Sequence, residues 1–296
     1  MITYSKLGEY GRMGNQLFQY AMLKVVSLER GYKMKIPDPN TVECQNQKCQ
    51  LDQFNIKCDY LSDGDMPTIQ HRFVEPNHSK FWPQVFLVKD NTDFMGYYQN
   101  YLYFAKYEKQ IREEFKLNID LENYAKEYVG NLKKKNEQII SVHFRRGDAV
   151  KVPRGETRPG MSYDYFGKND VLSKESVFGK YFFNAIDNFN NNNIKFLVFS
   201  GGTRKGFKHN QGDMKWCRNN IKDNRFLFCE GHNDIEDFAI MKNCDHNIIT
   251  HSTSYGYWAA FLNENINKIV YAPKNYTIPD DGRVQQGFYP KTWKTI

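Results

Sequence analysis

Residues 139–148 read Ile-Ile-Ser-Val-His-Phe-Arg-Arg-Gly-Asp, an apolar β-branched run that delivers His143, Arg145, Arg146 and Asp148 at its carboxyl end. Such a run is the signature of a buried strand, and open α/β sheets place their ligands at the carboxyl ends of strands. Paired guanidiniums there suit an anion, because each presents a planar fork of donors that matches phosphate or carboxylate oxygens. A surface arginine pair bridged to Asp148 would read the same, so the decision rests on the rest of the chain.

Three other stretches carry compatible chemistry. Gly11-Arg12-Met13-Gly14-Asn15 opens a helix, where glycines let backbone N–H groups approach a ligand and the helix start attracts an anion. Thr250-His251-Ser252-Thr253-Ser254-Tyr255 joins a strand end to a helix start; its hydroxyls suit ordinary capping and equally suit a phosphate cradle. The aromatic stretch 94–104 contains Tyr97 and Gln99. It reads either as packed core or as a carbohydrate surface, with tyrosine faces stacking on sugars and Gln99 or Asn100 bonding their hydroxyls.

Elements that would position these groups follow from periodicity. Leu17, Phe18, Ala21, Met22, Val25 and Val26 recur at helical spacing, with Asn15 as N-cap and Gly31 as the C-terminal stop. Residues 33–76 read as loops and short strands, then a strand near 94 and a helix through 111–115. A helix over 120–134 ends in Lys133-Lys134-Lys135, a run that a solvated helix end explains. Beyond it, strands at 139–144, 194–200, 225–229, 246–250 and 268–272 alternate with helices at 177–189, 213–221, 234–243 and 254–263. That alternation predicts a parallel, Rossmann-like α/β lobe. Residues 151–170 are too irregular for an element and read as a loop over the site.

A chain of 296 residues has room for two lobes, and 40% hydrophobic with 25% charged residues is a globular balance rather than a disordered one. The net charge of +7 is spread along the chain, which argues against a nucleic-acid arm and leaves a positive field suited to a small anion. No stretch approaches the roughly 18 apolar residues a membrane span needs, and the amino terminus does not read as a secretion signal. The six cysteines form no Cys-x-x-Cys pair, and no histidine follows Cys44, Cys49 and Cys58 until His71. Reduced thiols in a cytoplasmic protein, without a metal centre, are expected.

Taken together, 11–21, 143–148 and 253–260, with 199–200, 214–221, 237–241 and 244–246 in the same order, resemble the α-1,2-fucosyltransferases of glycosyltransferase family 11. The resemblance implies a GT-B-like architecture of two facing Rossmann-like lobes. It also implies GDP-fucose as donor, a glycan acceptor, inversion at the fucose anomeric carbon, and no metal or other cofactor. Residues 1–135 would form the N-terminal lobe with the glycine-loop helix and acceptor surface, and 136–296 the GDP-fucose-binding lobe. Metal-free transfer needs a protein cation at the leaving phosphate, and Arg145 is the first candidate; by the same resemblance His143 lies at the guanine and ribose, and Arg146 supports the site. Asp148 orients the arginines or the acceptor and is a candidate base; Asp237 reads the guanine. Ser252, Thr253, Ser254 and Tyr255 hold the phosphates, and Asn15 reaches them from the first lobe. Tyr97 and Gln99 would meet the acceptor, whose galactose or similar sugar takes the α-1,2 linkage.

The chain departs from the family at His251, where many members resemble Asn-Ser-Thr, and in the insert 201–212. It lacks the anchor of the animal Golgi members, which points to a soluble bacterial-type or viral form working in the cytoplasm or at the inner membrane surface. An α-1,6- or protein O-fucosyltransferase, and a glycan- or nucleotide-binding protein without catalysis, are the alternatives.

Overall fold

In the computed structural model, residues 1–44, 47–78, 80–146, 171–189, 193–201, 211–275 and 287–296 are described. The chain divides into two units: Met1–Asn118 with Gln285–Lys291, and Ile119–Val284 with Thr292–Ile296. Each is built on a parallel sheet.

In the first unit, strand β1 (Ile2–Thr3) leads to helix α1 (Met13–Arg30) and strand β2 (Met34–Ile36). A two-strand antiparallel ribbon, β3 (Glu43–Cys44) and β4 (Gln47–Lys48), precedes β5 (Asp59–Tyr60), β6 (His71–Val74), β7 (Thr92–Met95) and helix α2 (Glu108–Glu114). The sheet order is β5-β2-β1-β7-β6. The expected apolar face of α1 is buried, because its six members recur every three or four residues and so share one side of the helix. Gly31 ends the helix in the left-handed conformation at φ 67°.

Asn15 is not the N-cap. Arg12 occupies that position in extended conformation with no side-chain cap bond, and Asn15 lies inside the first turn. The reason is Gly11, whose φ of +100° turns the chain earlier than the capping pattern suggests. A Cβ at Gly11 would come within 2.5 Å of the Asn15 amide nitrogen, so the glycine makes room for that side chain.

The second unit contains helix α3 (Ile119–Leu132), β8 (Gln138–Phe144), α4 (Val177–Asp187), β9 (Ile194–Ser200), α5 (Gln211–Asn220) and β10 (Phe226–Phe228). It continues through α6 (Asp234–Lys242), β11 (His246–Ile248), α7 (Ser254–Leu262), β12 (Val270–Ala272) and β13 (Lys294–Thr295). Its sheet runs β10-β9-β8-β11-β12-β13 with every neighbour parallel. Every residue of β8 after Gln138 is buried, as expected of a central strand covered on both faces. Ile140, Val142 and Phe144 pack with Val198, Phe178, Phe182 and Trp216 in the core.

The division between units precedes the expected 135/136 boundary by the whole of α3. Lys242 Nζ of α6 donates to both Glu122 carboxylate oxygens of α3, at 2.8 and 2.9 Å, and Lys133 Nζ meets Asp245 at 2.8 Å. The first pair is buried and the second partly so, and both tie α3 to the second unit, so the lysine run closes a helix of that unit. Residues near the carboxyl terminus also return to the first unit, where Tyr101 N–H donates to the Phe288 carbonyl. All six cysteines are free thiols. Among the described residues no helix is long and apolar enough to cross a membrane.

Candidate active site

Numbered in chain order, the strands of the second sheet run 3-2-1-4-5-6, so the chain winds away from β8 in opposite directions. Crossovers that leave a sheet in opposite directions open a crevice at the carboxyl ends of the two strands where the order reverses. Those strands are β8 and β11, in register through Val142 and Ile248. Therefore the two ends that meet there are His143–Arg146 and Thr250–Thr253.

Their contacts are direct. His143 Nδ1 lies 3.0 Å from Thr253 Oγ1, which also accepts the Gly256 N–H at 3.1 Å and so caps α7. A Cβ on Gly256 would stand 3.0 Å from His143 Nδ1, so this glycine admits the imidazole against the helix start. The Tyr255 ring lies 5.4 Å from His143. Ser252 holds a left-handed φ of 52°, rare for a residue with a side chain and a mark of a turn held by its surroundings. Thr250 Oγ1 is buried and has no hydrogen-bond partner among the described residues.

Burial, and then the Arg145 charge, lower the His143 pKa to about 3, so the ring is neutral at ordinary pH. Its ordinary value is 6.5; between that value and about 3 the unfolded chain binds a proton that the folded chain refuses. Stability should therefore fall as the pH is lowered through this window, by up to roughly tenfold in the folding equilibrium per pH unit. Urea titrations of His143→Asn against the parent check this: the variant should lose one proton's worth of slope, and identical slopes would exclude His143 as the source.

The adjacent arginines have different surroundings. Arg145 is half-buried at the strand end. Arg146 is only 3% exposed, with its guanidinium 3.8 Å over the Trp216 ring and its Nε 3.4 Å from Asp213 Oδ1. Its N–H donates to the Phe144 carbonyl at 2.9 Å, a tight turn that ends the strand. Arg146 thus lies inside the unit, bonded to α5, where its motif position had put it among the donor-binding groups.

Tyr255 spends its hydroxyl on the Asp234 carbonyl at 2.5 Å and packs on Phe238, so its side chain braces α7 against α6. Only its backbone remains suited to the phosphate role expected for it. Asp237, one turn into α6, accepts from Cys229 Sγ at 3.4 Å, and burial raises its carboxyl pKa to about 7. His232 Nδ1 lies 3.4 Å from the same sulfur.

In the first unit Gln99 Nε2 donates to Asn15 Oδ1 at 2.6 Å, and Tyr97 stacks on Tyr10 with ring centroids 4.8 Å apart. Both rings are partly exposed. Glu75 accepts the N–H groups of Tyr97 and Tyr98 at 2.7 and 3.1 Å and holds this segment. Tyr98 and Tyr103 are core residues, and Asn100 accepts the Leu102 N–H and caps a short turn. The aromatic stretch is therefore mostly packing, with Tyr97 and Tyr101 as its half-buried tyrosines. Asp148, the loop 151–170 and most of the 201–212 insert lie outside the described residues.

Sequence reasoning missed Tyr10, Asp213, Trp216, Cys229 and His232 as parts of these clusters. Asp213 and Trp216 stand three apart on α5, a spacing that puts both on one helix face, but nothing local names Arg146 as their partner. Cys229, His232 and Asp237 carry ligand-type side chains at short intervals, a signal that was legible.

Residues 6–296 match the family model described as glycosyl transferase family 11. An alpha-1,2-colitosyltransferase of Escherichia coli is 26% identical over 293 residues, covering 89% of this chain and 89% of that protein. A galactoside alpha-(1,2)-fucosyltransferase 2 of Bos taurus is 26% identical over 280 residues, covering 91% of this chain and 71% of the other. The crystal structure of the fucosyltransferase NodZ from Bradyrhizobium aligns with 87% of this chain and 92% of its own at 10% identity, with a TM-score of 0.47. The family match spans the glycine loop, the arginine pair and the hydroxyl turn, and the chain belongs to glycosyl transferase family 11.

Proposed function

We propose that the chain transfers L-fucose from GDP-fucose, with inversion, to a sugar hydroxyl, forming an α-1,2 linkage on galactose or a similar glycan. The observation that carries this is the half-buried Arg145 beside neutral His143 and the start of α7, at the strand-order reversal of a family 11 chain. Relatives with α-1,2 transfer in their names support the linkage.

The chemistry asks for little else. As the C1–O bond breaks, its electron pair goes to the β-phosphate oxygen, and negative charge grows there. Arg145 donates to that oxygen, and α7, whose Gly256 N–H is taken by Thr253 Oγ1, turns its positive end and the backbone N–H groups of Ser254 and Tyr255 to the diphosphate. These protein groups meet the leaving charge, so the step requires no metal. Asp237 accepts from the guanine N1–H and exocyclic amine, and His143 packs at the base and ribose. The acceptor oxygen attacks the opposite face of the sugar. Tyr97, stacked on Tyr10, and Gln99, bonded to Asn15, form the acceptor surface. Asp148 is the candidate to take the acceptor proton.

Incubation with GDP-fucose and a panel of β-galactosides, followed by linkage analysis, tests the reading. An α-1,2 product formed equally well with a metal chelator is expected. An α-1,6-linked or protein-linked product would move the chain to the alternative fucosyltransferases, and loss of rate with chelator would sink the metal-free step. Binding of GDP-fucose without release of GDP on any acceptor would leave a binding protein. A colitosyl donor belongs in the panel, because the Escherichia coli relative is named for that sugar.

A further inference from the structure

Three ligand types converge beside α6. Cys229 Sγ lies 3.4 Å from His232 Nδ1 and 3.4 Å from Asp237 Oδ1, and these last two atoms are 3.6 Å apart. Tetrahedral zinc bound to one sulfur, one imidazole nitrogen and one carboxylate oxygen holds those atoms about 3.4 to 3.6 Å apart, from its usual bond lengths. The three separations fall within that range.

The fold sets this arrangement locally. Cys229 follows β10, and the Asn233–Glu236 capping box fixes where α6 begins. His232 stands just before that cap and Asp237 one turn beyond it, so both flank the thiol. The imidazole packs edge-on against Tyr128 of α3, with centroids 4.8 Å apart, and its side chain is 8% exposed. Asp237 is the open side, at 26% exposed. A cation would enter past the carboxylate and keep its fourth position for water. Thiolate with imidazole favours zinc over the hard cations magnesium and calcium.

We infer that Cys229, His232 and Asp237 form a zinc-binding site, and that zinc bound there opposes donor binding. Coordination releases the thiol proton to solvent and commits the Asp237 carboxylate to the metal. A carboxylate so committed no longer accepts from the guanine edge. The zinc site stands on geometry alone; the opposition to donor binding rests on the donor reading above.

The test uses the full chain stripped of metal. Competition with a chromophoric chelator should show one equivalent of zinc bound with a submicromolar Kd. Cobalt in its place should give the intense visible bands of a tetrahedral site and a sulfur-to-metal charge-transfer band. Cys229→Ser should remove the charge-transfer band, and His232→Ala should weaken binding by at least the roughly ten- to hundredfold that loss of an outer-shell partner costs. Both variants are checked for an unchanged melting profile in the absence of metal. Binding weaker than micromolar, or equal in parent and both variants, overturns the site. Saturating zinc should raise the Kd for GDP-fucose at least tenfold in the parent and far less in Cys229→Ser. Zinc held by the triad with GDP-fucose affinity unchanged overturns the opposition. Because donor binding is measured directly, failure of the transferase reading shows separately, as absence of GDP-fucose binding without metal.

Discussion

Arg145→Ala is expected to lower kcat by about a hundred- to a thousandfold, the usual effect of removing one preorganised donor to charge that grows in the transition state. The residue is half-buried at the end of β8, at the reversal point of the sheet, with its charge felt by His143. Ground-state GDP-fucose already carries its diphosphate charge, so KM should change less than kcat. The additional negative charge on the leaving oxygen appears only as the bond breaks, which is where a charge-assisted hydrogen bond, about 1.5 to 3 kcal/mol, acts most strongly. Arg145→Lys keeps the charge but loses the planar fork and should recover only part of the rate. Transfer assays at saturating donor measure this, with circular dichroism and melting to show the fold intact. A rate within threefold or so of the parent, on the scale set by such donors, would remove Arg145 from the mechanism.

Its neighbour should fail differently. Arg146→Ala is expected to destabilise the second unit by about 3 to 5 kcal/mol, the range for deleting one partner of a buried ion pair. The guanidinium lost is stacked on Trp216 and faces Asp213, whose side chain is 3% exposed, so the substitution leaves a cavity and a buried carboxylate. Arg146→Met combined with Asp213→Leu removes both charges and keeps the volume filled, and should recover much of the stability. Urea unfolding separates these outcomes. If Arg146→Ala kept its stability but lost GDP-fucose affinity, the donor-facing role suggested by its motif position would be right and the packing role wrong.

The elements were legible wherever one periodicity ran long enough to dominate. Strands β8 and β9 are continuous apolar runs because a central parallel strand is covered on both faces, and each lies within a residue of its expected bounds. Helices α4, α6 and α7 also begin at their expected first residues. Residues 33–76 yielded little, since strands of two to four residues carry too few alternations to stand out. The boundary between units was misplaced because α3 looks like the end of one composition region. Its allegiance is set by Lys242, which lies 120 residues from Glu122.

The candidate site divides in the same way. The resemblance was legible because it rests on residue types in order, and so were the positions of Arg145, His143 and the hydroxyl turn at element ends. What the linear text could not distinguish was which groups face a ligand and which face the core. Tyr97 and Tyr98 are alike in type, yet one stacks on Tyr10 at the surface and the other is buried against Tyr4 and Phe94.

By itself, the amino-acid sequence determined the α/β class, the family and the supply of anion-binding groups, because periodicity and residue order are properties of the chain. The tertiary structure alone decided that β8 and β11 are neighbours, because strand order depends on which way each crossover turns. It also decided that Arg146 is an internal cation and Arg145 is not. The two share one chemistry and adjacent positions; what buries Arg146 is Trp216 and Asp213, brought from some seventy residues away onto its guanidinium, while Arg145 stays half-buried at the strand end.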